Sequence, residues 1–391
     1  MSSFLPRTVV VLGLVSFLND IASEMITPLL PLFLTLTLGA GPMIVGLVEG
    51  VAEATASLLK LASGYLADHG WNHKRLVVGG YTASNAARPL IALALGWSWV
   101  LLLRFLDRVG KGIRTSPRDA LISASTGPER RGRAFGFHRA LDNAGAMLGP
   151  LFAFLLLSGG MPMQQVFGWS LVPGVLVILL LLFGLDGTPQ PAPPARTPPL
   201  RWHMLDRQLR GLIMAAGGLA LAAVPEVFLI LWATDRGLPL AWAPLIWAAA
   251  HGIKALVATP AGILSDAYGR LPVLLAGWSL RITLLIALAF APASPLAIWV
   301  GFLTYAASLA FTEGAERALI GDASPPQQKA TAFGLYHMVV GLAALPGALL
   351  FGSLWQWGSE KTAFITAACL SLLSLYLLLR SSWHTLRDAP P

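Results

Sequence analysis

Charge is scarce in this 391-residue chain. Only 12% of its residues are Asp, Glu, Lys or Arg, against roughly 25% in soluble domains, so the composition points to lipid as the solvent. Cysteine is nearly absent as well. Cys369 stands alone, which excludes an intrachain disulfide and leaves the redox compartment unread. Its plain reading is a small, buried, apolar residue. No phosphate loop of the Walker type occurs, so ATP hydrolysis within the chain is not expected. Gly110-Lys111-Gly112 resembles such a loop only in composition. Neither a zinc-protease motif nor a nucleophile elbow is found, and no enzyme is expected.

What fills the chain instead is apolar. Hydrophobic residues make up 55% and the mean hydropathy is +0.68. Nearly uncharged stretches of about 20 residues, long enough to cross a bilayer as a helix, recur throughout, as in Val166 to Leu185 and Ala363 to Leu379. They are continuous rather than alternating, so helices and not a barrel satisfy the backbone in hydrocarbon. The pattern predicts twelve spans, roughly 8–36, 44–68, 75–94, 97–122, 132–157, 165–185, 208–234, 241–266, 271–290, 295–321, 330–356 and 361–380. Met1 to Leu18 begins like a signal peptide, but no small-residue cleavage site follows and the apolar run continues to about Leu36, so it is read as the first span.

A net charge of +8 would suit nucleic acid, yet the basic residues sit in every second loop. Arg7, Lys74, Arg75, Arg118, Arg130, Arg131, Arg133, Arg196, Arg201, Arg207, Arg270, Lys329, Arg380 and Arg387 fall on one side and only Arg236 and Lys361 on the other. By the positive-inside rule both termini lie in the cytoplasm, and the charge is a topology signal and an attraction to anionic lipid.

Gly187 to Leu200 contains Pro189, Pro191, Pro193, Pro194, Pro198 and Pro199, a density that precludes helix and favours an extended connector. It divides the chain into a six-helix bundle over 1–186, a linker over 187–207 and a second bundle over 208–391. A repeat supports the division. A constant shift of 198 positions (262 − 64) carries Gly64, Leu66, Asp68 and Gly79 onto Gly262, Leu264, Asp266 and Gly277. It also carries Ala134, Phe135, Gly136 and Gly149 onto Ala332, Phe333, Gly334 and Gly347. Six helices per copy give both copies the same orientation, the parallel-repeat arrangement of transporters that rock about a central site.

Gly64-Tyr-Leu-Ala-Asp68 before His73-Lys74-Arg75, and its cleaner copy Gly262-Ile-Leu-Ser-Asp266-Ala-Tyr-Gly269-Arg270, resemble the loop motif of the major facilitator superfamily, and the likeness covers essentially the whole chain. In the first copy Trp71 and Asn72 replace the usual glycine and arginine. A carboxylate at a helix end can cap a neighbouring helix and pair with arginines, so Asp68, Asp266 and Arg270 are expected to act as gating locks. In the fourth span Arg104-Phe-Leu-Asp107-Arg108-Val-Gly110-Lys111-Gly112 is similar to the arginine-and-glycine motif of proton-coupled antiporters, with charged residues at 107, 108 and 111 as departures. The fifth span has Gly136, Gly145 and Gly149-Pro150 at the spacing of the antiporter motif, a resemblance that implies export; Ala153-Phe154 departs from it. Small residues at this spacing equally serve close packing. Asn19-Asp20 and Glu24-Met25, with the Asp107-to-Arg118 and Phe135-to-Pro150 runs, resemble a widespread bacterial subgroup of the superfamily that is without assigned substrates.

Each charge inside the membrane costs at least about 2.5 kcal/mol and is a functional candidate by default. Arg104, Asp107, Arg108, Lys111, Arg114 and Arg118 occupy an arc of about 120° on one helix and form a single charged face that cannot point at lipid. By resemblance that face lines the central cavity. Asp20 and Glu24 lie one turn apart. Glu49, Glu53 and Lys60 share a face of the second span, and Arg139 and Asp142 are spaced to pair. The second half is sparser, with Glu226, Lys254, Arg281, Glu313, Glu316 and Arg317, and offers a more apolar wall. A carboxylate in a low-dielectric cavity, with arginines that approach or withdraw, can take a proton on one side and release it on the other. Candidate proton carriers are therefore Asp20, Glu24, Asp107, Glu49, Glu53 and Asp142. Arg104, Arg108, Lys111 and Arg139 are candidates for binding substrate, and Arg118 and Asp119 for gating. Static ion pairs between helices explain the same residues equally well.

Taken together, these features lead us to expect an all-α integral membrane protein of the major facilitator fold that exports a small organic compound in exchange for protons. Uptake of an anionic metabolite or metal chelate is the alternative. The expectation includes a small-molecule substrate and the lipid bilayer as partners, no cofactor, no metal site, no nucleic acid, a monomer, and residence in a bacterial inner membrane.

Overall fold

Long apolar segments become helices because only a helix satisfies its own backbone in hydrocarbon. The computed structural model describes residues 5–68, 71–126, 131–185, 207–322 and 329–387; the expected linker lies almost wholly outside them, as does the side chain of Asp68. No strand occurs among the described residues.

Twelve spans follow in order. α1 comprises Arg7–Glu24 and, beyond a break, Leu30–Leu32 and a π-helical turn Phe33–Thr37. Next come α2 (Pro42–Asp68), α3 (His73–Leu90), α4 (Trp97–Ala124), α5 (Arg131–Ser158) and α6 (Met163–Trp169 with Leu171–Gly184). The second set is α7 (Arg207–Leu221 with Glu226–Asp235), α8 (Ala243–Tyr268), α9 (Arg270–Ala289), α10 (Pro295–Asp322), α11 (Lys329–Trp357) and α12 (Glu360–Arg387). Among the described residues nine helices are apolar enough to cross a membrane on composition alone. α1, α3 and α4 fall short because they carry Arg7, Asp20 and Glu24, then Lys74, Arg75 and Arg88, then the charged ladder from Arg104 to Arg118.

The repeat is visible in the packing. α1 packs on α5 and α6, and α3 on α4 and α6; correspondingly α7 packs on α11 and α12, and α9 on α10 and α12. Glycines set the closest approaches. A Cβ on Gly149 of α5 would lie 2.7 Å from the carbonyl oxygen of Ile21 in α1, and its repeat mate Gly347 in α11 likewise abuts the backbone of Leu221 in α7. Both first helices break at matching places, α1 after Glu24 ahead of Pro28 and α7 at Ala222 ahead of Pro225, since proline supplies no N–H to continue the ladder.

Two compact units result: residues 1–39, 55–196 and 239–251 form one, and 40–54, 197–238 and 252–391 the other. The core of the first holds Leu12, Val15, Val77, Tyr81, Leu121, Ile122 and Leu181. That of the second holds Leu212, Ile213, Leu274, Trp278, Leu335 and Leu378. Cys369 departs from expectation: it is exposed. It shares a stripe of α12 with exposed Ile365, Leu372 and Tyr376, where an apolar side chain meets acyl chains at no desolvation cost.

Candidate functional site

The polar interior of the first unit is built where α1, α3, α4 and α5 meet. Glycines let α3 and α4 approach backbone to backbone, since a Cβ on Gly80 would stand 2.6 Å from the Gly110 carbonyl oxygen. Ser84 fills the remaining space, donating to the Asp107 carbonyl at 2.8 Å and accepting from Arg114 Nη1 at 2.5 Å. The Arg114 guanidinium also stacks over the Tyr81 ring, 4.4 Å from its centroid.

At the centre stands a buried ion pair. Arg88 Nε donates to Asp107 Oδ1 at 2.9 Å, and the two side chains are 4% and 1% exposed. Arg88 Nη1 further donates to the carbonyl and side-chain oxygens of Asn19, at 3.1 and 2.9 Å, and to Asn85 Oδ1 at 3.3 Å. The other carboxylate oxygen of Asp107 faces Arg104 Nη1 at 3.6 Å and Arg108 Nε at 3.8 Å. Three cations thus converge on one carboxylate, and α1, α3 and α4 are tied through it.

Beside this hub opens a cavity of about 220 Å³, lined by Asp20 and Glu24 of α1, Arg88 of α3, Arg108, Lys111 and Arg114 of α4, Arg139 and Asp142 of α5, and His251 of α8, with Asn19, Ser23, Asn143 and Ala146 between them. Asp142 accepts from Ser16 Oγ at 2.6 Å and from Arg139 Nη1 at 3.0 Å. Asp20 accepts from Asn19 Nδ2 at 3.0 Å. Glu24 accepts from the indole Nε1 of Trp247 at 2.9 Å and lies 3.9 Å from His251 Nε2. The Trp247 and His251 rings stand 5.8 Å apart.

The candidates separate accordingly. Asp20, Glu24, Asp142, Arg108, Lys111 and Arg139 line the cavity, whereas Arg104 and Asp107 lie behind its wall. Glu49 and Glu53 are not part of the lining; their stretch of α2 belongs to the other compact unit. Arg118 pairs with its neighbour Asp119 at 2.9 Å. Arg270 donates to Asp266 and, at 3.3 Å, to Asp322. Among the described residues no group of three or more His, Cys, Asp or Glu side chains is arranged to hold a metal ion.

Sequence reasoning passed over Arg88, Ser84, Asn85 and Trp247. The first three belong to a polar stripe, Tyr81, Ser84, Asn85 and Arg88, at helical spacing in an otherwise apolar span, and that signal was available. Nothing in the sequence relates Trp247 to Glu24. The second unit is also less apolar than its composition suggests. It contains Lys254–Glu226 at 2.5 Å, buried Arg281 donating to Thr312 Oγ1 at 3.0 Å, and Tyr336 donating to Glu316 at 2.9 Å.

Comparison with known proteins completes the picture. The sequence profile described as Major Facilitator Superfamily matches residues 12–254 and 246–390. The chain belongs to the major facilitator superfamily. An uncharacterized MFS-type transporter of Methanocaldococcus jannaschii is 34% identical over 383 residues, 96% of this chain and 95% of its own length. An uncharacterized protein of Mycobacterium tuberculosis is 30% identical over 392 residues, 95% of this chain and 92% of its own length. The fold is shared with the nucleoside transporter NupG (TM-score 0.81, 13% identity, 96% and 99% of the two chains). It is shared equally with a bacterial homolog of the human lysosomal transporter Spinster (TM-score 0.80, 18% identity, 98% of each chain). This major facilitator transporter is therefore a multi-pass membrane protein of a family that binds small molecules within the bilayer, and such transporters are generally not enzymes.

Proposed function

We propose that this chain is a proton-coupled secondary transporter that moves a small organic compound by alternating access, with the halves 1–186 and 208–391 as its moving bodies and 187–207 as their tether. The reading places both termini on the cytoplasmic side of a bacterial inner membrane and treats the protein as a monomer. One observation carries it: the carboxyls of Asp20 and Asp142 line the same cavity as Lys111 and Arg139. A site that can exchange a proton beside movable cations is what coupling to a proton gradient needs. Arg118–Asp119 and Asp266–Arg270 serve as gates in this reading, being ion pairs near helix ends rather than in the cavity.

Export is the direction favoured by the glycine spacing of α5, although Gly145 and Gly149 of that motif are fully engaged in packing against Phe17 and Ile21 of α1. Uptake of an anionic compound is the second reading, and it rests on the cation-rich wall of the cavity itself. Proteoliposomes with an imposed proton gradient provide the test. Flux of substrate that stays the same after a protonophore collapses the gradient would remove the coupling.

A further inference from the structure

The cavity's charge is unbalanced. Five cationic side chains line it, Arg88, Arg108, Lys111, Arg114 and Arg139, against three carboxyls, Asp20, Glu24 and Asp142. Adding Arg104 and Asp107, which stand directly behind the wall, makes the balance six to four. A low-dielectric cavity with this excess selects a ligand that brings negative charge with it.

The same cations also serve the acid pair. Asp142 holds Arg139 at 3.0 Å, and Lys111 lines the same cavity as Asp20. A ligand anion that engages Arg139 and Lys111 draws them away from Asp20 and Asp142 and adds a like charge beside those carboxyls. Both changes favour the protonated pair. The surroundings do not reverse the sign. α1 itself contributes Glu24, a further negative charge. From α5, His138 and Arg139 face Asp142, and Arg118 of α4 reaches it as well. α3 presents Arg88, which is committed to Asp107, and α8 presents His251, nearest to Glu24. α6 has no titratable residue between Met163 and Gly184.

We propose that the cavity takes a small organic anion, recognised through a carboxylate or phosphate group by Lys111, Arg108 and Arg139, and that the anion and a proton from water at the Asp20–Asp142 pair bind cooperatively, each favouring the other. The inference rests on the proton-coupled reading and, of its two directions, takes the uptake of an anionic compound rather than export. Two ligands that bind together travel together, so an inward proton gradient drives the anion inward. A ligand that displaced the proton would be exchanged against it instead.

The experiment uses the purified full-length protein in weakly buffered detergent solution with a pH-indicator dye, challenged with succinate and inorganic phosphate as anions, tetraethylammonium as a cation and glucose as a neutral solute. Binding is read as thermal stabilisation, and proton exchange as dye absorbance. The expected result is stabilisation by an anion with proton uptake, and a Kd that weakens by up to about tenfold per pH unit on the alkaline side for one linked proton. Asp142→Asn should abolish the proton uptake while anion binding persists with a flat pH profile. Lys111→Gln should weaken the anion and leave the protein folded. Proton release on binding, binding without proton exchange, or stabilisation by the cation or the neutral solute alone would each overturn the proposal, as would no response to either anion. Gradient-dependent flux in proteoliposomes alongside any of these outcomes would leave proton coupling standing and remove only the anion; flux indifferent to the gradient removes the coupling itself.

Discussion

Removing the two members of the Arg88–Asp107 pair should have unequal consequences. With charge centres about 4 Å apart, one pair contributes roughly 4 kcal/mol of attraction at an effective dielectric of about 20. Arg88→Met removes one such attraction and the hydrogen bonds to Asn19 and Asn85, but Asp107 keeps Arg104 at 3.6 Å and Arg108 at 3.8 Å. Asp107→Asn removes all three attractions and leaves three arginines repelling one another around a neutral amide. Removal of one partner of a buried pair typically costs about 3–5 kcal/mol. Arg88→Met should fall at or below the low end of that range, and Asp107→Asn at or above the high end. The double variant should cost less than the sum of the two, because removing Arg88 relieves part of the repulsion that Asp107→Asn creates. Thermal unfolding followed by fluorescence-detected size exclusion, or chemical unfolding in mixed micelles, ranks the variants. Asp107→Asn as stable as Arg88→Met, or strict additivity in the double variant, would refute the picture of a carboxylate at the hub of three cations.

Other outcomes follow from the same structure. Gly145→Ala should cost about 1–3 kcal/mol of stability by overpacking α5 on the Phe17 backbone, whereas Gly136→Ala, with nothing within 4 Å of the new Cβ, should be neutral or slightly stabilising by the same thermal assay. Arg270→Ala breaks the exposed links to Asp266 and Asp322 and should leave the melting temperature unchanged while slowing transport in proteoliposomes, if these residues gate. In a Cys369→Ser background, a cysteine placed at Thr197 should react with a membrane-impermeant maleimide in inside-out vesicles and not in right-side-out ones; the reverse pattern would invert the proposed topology.

Much of this architecture is legible because lipid makes polarity conspicuous. A charge in a soluble helix says little, but Arg104, Asp107 and Lys111 stand out in a span whose first half is dominated by Leu, Val, Trp and Phe, and the structure places all three in or directly behind the cavity wall. The pairing of Arg139 with Asp142 was readable from their spacing of three along α5. Contacts without any period to announce them were not readable. Trp247 reaches Glu24 across 223 positions of sequence, and no helical spacing relates them. Counting charges also misled for the second unit, where few ionisable residues nonetheless gather into pairs such as Glu316 with Tyr336 and Lys254 with Glu226. Composition reports how many polar groups a half contains and nothing about whether they meet.

The repeat then shows which half was specialised. A shift of 198 positions sets Arg104 on Phe302, Asp107 on Tyr305, Arg108 on Ala306 and Lys111 on Leu309, and likewise Asp20 on Gly218 and Asp142 on Val340. The backbone at these positions is shared, since α4 and α10 each pack on the helix before them, and the chemistry is not. Tyr305 illustrates the substitution: where Asp107 anchors Arg88, Tyr305 uses its hydroxyl to satisfy the Val224 carbonyl at 3.1 Å, freed by the break in α7. Each buried charge must be offset by partners on neighbouring helices, and α1, α3 and α5 of the first unit supply them as Asn19, Arg88 and Asp142. At the matching positions α7, α9 and α11 have Gly217, Ile286 and Val340, which could not support a second ladder of the same kind. The asymmetry is therefore a property of whole helix sets and not of α4 alone, and it leaves the charged ladder to the first unit.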